Sequence, residues 1–107
     1  METTTIRKIS FADAKKMMDT VPELVILDVR EEEEYITGHA VGAELLPVDD
    51  ITAESAAKAI PTPDTPVLLY CRSGARSALA AEKLTSLGYR NLYDVGGLVG
   101  WPYGLTV

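Results

Sequence analysis

Residues 67–84 read VLLYCRSGARSALAAEKL. Four apolar residues lead into the only cysteine of the chain, Cys71. Two arginines and a glycine follow, and then an alanine-rich stretch. The apolar run with its preceding proline, residues 66–70, reads as a strand buried on both faces. Residues 77–87 carry helical spacing, and Gly88 stands where a helix C-cap glycine is expected. Between strand and helix lies the loop CRSGAR, residues 71–76.

The same alternation extends outward in both directions. TIRKI (5–9) reads as a first strand. Ser10 is placed to cap a helix whose apolar positions are Phe11, Ala14, Met17, Met18 and Val21, with Asp13 at the reciprocal capping position. ELVILDV (23–29) is a second, continuous apolar strand, and residues 31–36 suit a short helix with an acidic first turn. GAELLP (42–47) gives a short third strand stopped by proline. A helix is expected over 50–60, ended by Pro61, with PTPDTP (61–66) as a turn-rich connector. NLYDV (91–95) is the fifth strand, and GGLVGWPYG (96–104) is expected to close the chain in turns. Strands that alternate with helices predict an α/β domain: a five-stranded, mostly parallel sheet with helices on both faces. Ligands of such sheets sit outside the carboxyl ends of the strands, where Cys71 falls.

Composition narrows the chemistry. The chain has 107 residues, 47% of them hydrophobic and 24% charged, enough for one domain with its own core. A net charge of -6 argues against a nucleic-acid groove or an anionic membrane as partner. No apolar run approaches the roughly 20 residues of a membrane-spanning helix. METTTIRKIS lacks the apolar segment of a secretory signal, so a cytoplasmic location is the expectation. A single cysteine excludes an intramolecular disulfide and a Cys-only zinc site.

The loop itself points to an anion. Residues 72–76 contain no proline, so every residue keeps its N–H. Gly74 permits the positive φ that turns amides inward. The following helix contributes the partial positive charge of its N-terminus. Arg72 and Arg76 add full charges. A thiolate is favoured in such a nest and would be a nucleophile without a neighbouring base. The plain alternative is a small buried hydrophobe at a strand end, a common place for cysteine. Burial alone gives no reason for two arginines and a glycine in the next five residues.

YCRSGARS (70–77) resembles the active-site loop of the rhodanese-like sulfurtransferases, and LDVREEEEYITGHAVGA (27–43) and GYRNLYDVGGLVGW (88–101) match the same family in order. The similarity runs from Ile6 to Trp101. It implies one rhodanese-like domain over residues 1–107, with its core at about 5–104. It also implies a mechanism. Cys71 takes a sulfane sulfur from thiosulfate or another small anionic donor, holds it as a persulfide, and passes it to cyanide or a thiol. The implied substrate-binding residues are Arg72, Ser73, Gly74, Ala75 and Arg76, with Asp28, Arg30 and Ser77 in support. A sulfur-relay protein is a further implied partner. No cofactor or metal is implied.

Two other functions stay open on this reading. Phosphatases of the cell-division-cycle type and arsenate reductases on the same fold use a longer C-x5-R loop. Here Cys71 to Arg76 is C-x4-R, which favours sulfur over phosphoryl transfer. A non-catalytic persulfide carrier or docking module would take up sulfur without turning over thiosulfate and cyanide.

The remaining candidates have plain readings. Asp28 and Arg30 are expected to form an ion pair that buttresses the loops. His39, the sole histidine, is expected to bond the backbone near the site and not to act as base. Ala40 departs from the family's usual β-branched residue there. Glu31 to Glu34 is expected to be a solvated face, since one acidic turn rarely converges on a cation. Gly96 and Gly97 lack the context of a dinucleotide fingerprint and are assigned to a turn. Trp101 is assigned to the core.

Overall fold

A computed structural model of the protein describes residues 6–107. In chain order the elements are β1 (Ile6–Lys8), α1 (Phe11–Thr20), β2 (Val25–Asp28), α2 (Glu32–Thr37), β3 (Glu44–Leu45), a 3-10 turn (Val48–Asp50), α3 (Ala53–Ala59), β4 (Val67–Cys71), α4 (Ala75–Ser86) and β5 (Leu92–Gly97). The strands form one sheet in the order β1-β5-β4-β2-β3, and every pairing is parallel. The expected α/β architecture is the one observed.

The central strands are the most apolar because both of their faces are covered. All residues of β2 and β4 are buried. Side chains alternate with the pleat. Val25, Leu27, Val67, Leu69 and Cys71 share one face with Ala56 of α3, Ile60 at its C-cap, and Ala80 and Leu84 of α4. Ile26, Leu68 and Tyr70 share the other with Ala14, Met17 and Met18 of α1. Trp101 packs at the edge of that second cluster, edge-on to Phe11 with ring centroids 5.3 Å apart.

The strand order locates the site. The chain leaves β2 toward β3 on one side, and leaves β4 toward β5 on the other. Neighbouring strands whose connections diverge open a crevice at their carboxyl ends. The loop after β2 and the loop after β4 therefore meet there.

Several boundaries differ from expectation for local reasons. Thr5 of the first expected strand lies outside the described residues. The helix expected over 50–60 starts at Ala53. Thr52 caps it through a reciprocal box, Ser55 N–H to Thr52 Oγ1 at 3.0 Å and Thr52 N–H to Ser55 Oγ at 2.9 Å, while Val48–Asp50 forms a separate 3-10 turn. At the first helix only half of the expected box forms: Asp13 N–H donates to Ser10 Oγ at 3.1 Å. α4 begins two residues earlier than expected, because Gly74 at φ 105° turns the chain directly into it. β5 runs on through Gly96 and Gly97, which are therefore sheet residues and not a closing turn. A register shift at Leu69/Tyr70 and an Asp94 Oδ1 that accepts the Gly96 N–H at 2.8 Å accompany this extension.

Candidate active site

Cys71 is the last residue of β4, and its backbone is locked to the end of β5. It pairs with Gly97, and its carbonyl accepts the Leu98 N–H at 2.9 Å. The chain then reverses at Gly74, in the left-handed region, and the Gly74 N–H donates to Cys71 Sγ at 2.8 Å. Only glycine adopts that conformation without steric cost. The far side of the loop is tied to α4. The Gly74 carbonyl accepts from Ser77 Oγ at 3.1 Å and from the Ala78 N–H at 3.2 Å, and Ser77 is buried.

The cup expected from residues 72–76 is thus built at its centre by one amide. Among the described residues, Gly74 N–H alone is hydrogen-bonded to the sulfur. The first turn of α4 has N–H groups with no intrahelical partner, available to an anion held in front of them. Cys71 itself has no accessible surface, whereas Arg72, Ser73 and Ala75 are exposed. The sulfur lies beneath these exposed loop residues.

β5 supplies the floor of the loop. A Cβ on Gly97 would stand 2.5 Å from the Arg72 carbonyl oxygen and 2.9 Å from Ser73 Cα. Any side chain there displaces the loop. Sequence reasoning passes over this role, although two consecutive glycines at a strand end were the available signal.

The loop after β2 forms the opposite wall. Asp28 is fully buried and bound in a fork by Arg30, at 2.9 Å from Nε and 2.7 Å from Nη2. Arg30 Nη2 also donates to the Gly38 carbonyl at 2.7 Å. The expected ion pair is present and bridges two loops. Its hydrogen bonds to Asp28 hold the Arg30 guanidinium above its ordinary pKa. Tyr70, whose sequence pattern marks it only as a strand residue, completes the cluster. Its hydroxyl donates to Asp28 Oδ2 at 2.7 Å and accepts the Ala40 N–H at 3.0 Å. Burial, and then the Asp28 bond, push the Tyr70 hydroxyl above its ordinary pKa.

His39 takes the backbone role. Its Nδ1 is 3.0 Å from the Tyr35 carbonyl, and its ring stacks on Tyr35 with centroids 3.7 Å apart. Its main chain pairs with Thr106 near the C-terminus.

The two arginines of the loop have different situations. Arg76 is bound by Glu34 in a fork, at 2.7 Å and 3.0 Å. Glu34 is therefore not part of a solvated face, unlike Glu31 to Glu33, which are exposed. The Arg76 hydrogen bonds pull the Glu34 carboxyl down to about 2. Reciprocally, Glu34 holds Arg76 above its ordinary pKa. Arg72 makes no side-chain hydrogen bond or ion pair among the described residues. A cleft of about 200 Å³ opens beside the loop, with walls that include Arg30, Glu34, Arg72, Leu98, Val99 and Leu105.

Known proteins are similar to this chain in sequence and in fold. A family model described as Rhodanese-like domain matches residues 10–102. The chain is 34% identical over 105 residues to thiosulfate sulfurtransferase GlpE of Tolumonas auensis, covering 94% of this chain and 95% of that one. It is 36% identical over 72 residues to thiosulfate sulfurtransferase PspE of Escherichia coli K12, covering 67% and 68%. A rhodanese-like domain protein of Staphylococcus aureus superposes with a TM-score of 0.78 at 26% identity, covering 94% of this chain and 97% of that one.

Proposed function

The chain belongs to the rhodanese-like domain family and is an enzyme of its sulfurtransferase type, and from that premise we propose a persulfide mechanism centred on Cys71. The observation that carries the reading is the Gly74 N–H held 2.8 Å from Cys71 Sγ, at the N-terminus of α4 and in the crevice between β2 and β4.

The Cys71 thiolate attacks the sulfane sulfur of thiosulfate or a related donor. A bond forms between Sγ and that sulfur. The donor's S–S bond breaks, and its electron pair leaves with sulfite. Cys71 then carries a persulfide whose outer sulfur bears one negative charge. We assign the stabilisation of that charge to the Gly74 N–H and the unpaired N–H groups of α4's first turn, acting as preorganised donors do for a developing oxyanion. Cyanide or a thiol next attacks the outer sulfur and restores the Cys71 thiolate. Arg72 supplies the free positive charge at the entrance. Asp28, Arg30 and Tyr70 hold the β2 side of the crevice in register, and Ser77 holds the turn at Gly74.

No helix among the described residues is long and apolar enough to cross a membrane. Small sulfur donors and acceptors are its proposed substrates.

Intact mass spectrometry after incubation with thiosulfate tests the mechanism. A gain of one sulfur atom that cyanide removes is the expected result. A protein that gains no sulfur from any sulfane donor, yet hydrolyses an aryl phosphate, would overturn it in favour of phosphoryl transfer.

A further inference from the structure

The cleft beside the Cys71 loop is less cationic than the three nearby arginines, Arg30, Arg72 and Arg76, suggest. Arg30 spends its guanidinium on Asp28 and the Gly38 carbonyl. Arg76 is held in a fork by Glu34 and is not among the walls of the cleft. Glu34 is, so the pair presents its acidic partner to the opening. That leaves Arg72, exposed and unpaired among the described residues, as the free guanidinium of the site. Beyond these charged groups the cleft is lined by Thr37 and by the apolar Leu98, Val99 and Leu105. Val99 is 72% exposed and Leu105 is 53% exposed, and both line the same cleft. Solvated apolar side chains beside a charged entrance are an unfilled contact surface for something partly apolar.

We propose that Glu34 is a specificity-determining residue: by holding Arg76 it leaves one free cation beside the apolar pair Val99 and Leu105. The site then selects a singly charged organic sulfane donor over the dianion thiosulfate. An aryl thiosulfonate has this chemistry, with one anionic charge on the sulfonyl–sulfur end and a hydrocarbon ring behind it. Transfer from it balances as it does for thiosulfate. The Sγ thiolate bonds to the terminal sulfur, the S–S bond to the sulfonyl group breaks, and the electron pair leaves with a sulfinate. The donor's charge meets Arg72, and its ring covers Val99 and Leu105. Thiosulfate brings a second charge, which Glu34 repels and Arg76 is not free to receive. The proposal rests on the sulfurtransferase reading and deepens it.

Steady-state kinetics with cyanide as acceptor, at fixed ionic strength, tests it with two donors, thiosulfate and benzenethiosulfonate. The wild-type protein is expected to show the higher kcat/KM with benzenethiosulfonate. Glu34→Gln is expected to lower KM for thiosulfate by about two- to fivefold, the worth of a partly exposed ion pair. It should move KM for benzenethiosulfonate less, so the preference narrows. Leu105→Ser is expected to raise KM for benzenethiosulfonate more than for thiosulfate. This variant keeps the test decisive if Glu34→Gln loosens the loop. A wild-type preference for thiosulfate, or variants that move both KM values by one common factor, would overturn the charge-selection idea and leave sulfur transfer standing. A wild-type protein that turns over neither donor would remove the sulfurtransferase reading and this inference with it.

Discussion

The Tyr70 hydroxyl joins Asp28 to Ala40: it donates to Asp28 Oδ2 at 2.7 Å and accepts the Ala40 N–H at 3.0 Å. All three residues are buried. Tyr70→Phe removes both bonds, and their costs differ. Asp28 keeps the Arg30 fork, so its carboxylate stays compensated. The Ala40 N–H loses its acceptor in the interior, and an unsatisfied buried donor costs about 1–3 kcal/mol. We expect a stability loss in that range by urea denaturation, with sulfur transfer reduced less than tenfold. The bond lies on the opposite face of the sheet from Cys71, which is why stability should suffer more than turnover.

Gly97→Ala acts on the site from below. Its backbone φ is not in the left-handed region, so the new Cβ brings a purely steric conflict, with the Arg72 carbonyl oxygen at 2.5 Å. Backbone cannot swing aside as a side chain can. The Arg72–Ser73 main chain must rise, and the Gly74 N–H moves off Cys71 Sγ with it. Overpacking of this kind costs about 1–3 kcal/mol. Turnover is expected to fall more than tenfold, with a folded protein by circular dichroism. Full activity in this variant would show that the loop tolerates displacement.

What sequence reasoning reaches here is what is contiguous. The apolar runs at 23–29 and 66–70 announce buried central strands, and the Cys71 loop with its helix lies within one short stretch. What it misses joins distant residues. Glu34 and Arg76, and likewise Asp28 and Tyr70, are each 42 positions apart. Both contacts exist because β2 lies beside β4, a neighbour relation no local pattern encodes. Gly97 is misread for the same reason: its constraint is the backbone of another strand's loop. Element ends are misplaced where a side chain decides them, as Thr52 and Ser55 do at α3.

The Glu34–Arg76 pair should leave a mark on acid stability. Its hydrogen bonds to Arg76 lower the folded-state pKa of Glu34 from 4.5 to about 2. A lowered carboxyl pKa contributes stability that is fully present above the unfolded value. It is lost as pH falls through the folded one. The window is therefore pH 4.5 down to about 2. Both side chains are partly exposed, so salt screens the effect. In denaturant melts across that window, wild type is expected to lose more stability than Glu34→Gln, and the gap should shrink at high salt. Parallel curves for the two proteins would mean that the pair does not hold in solution.

Cys71→Ser separates the chemistry from the fold. The oxygen is smaller than sulfur and still offers the Gly74 N–H an acceptor, so the turn at Gly74 keeps its hydrogen bond. Ser77 and Ala78 continue to anchor the Gly74 carbonyl from the other side. The exchange places one hydroxyl on the face shared with Leu69 and Ala80, so a loss of about 1–2 kcal/mol is expected. Thiosulfate:cyanide turnover should drop to the background rate, and mass spectrometry should show no added sulfur after exposure to the donor. An alkoxide is not available to do the thiolate's work, because a serine hydroxyl needs an adjacent base. His39, the sole histidine, is committed to the Tyr35 carbonyl and the Tyr35 ring. Turnover that survives in Cys71→Ser would place the nucleophile elsewhere and end the persulfide mechanism.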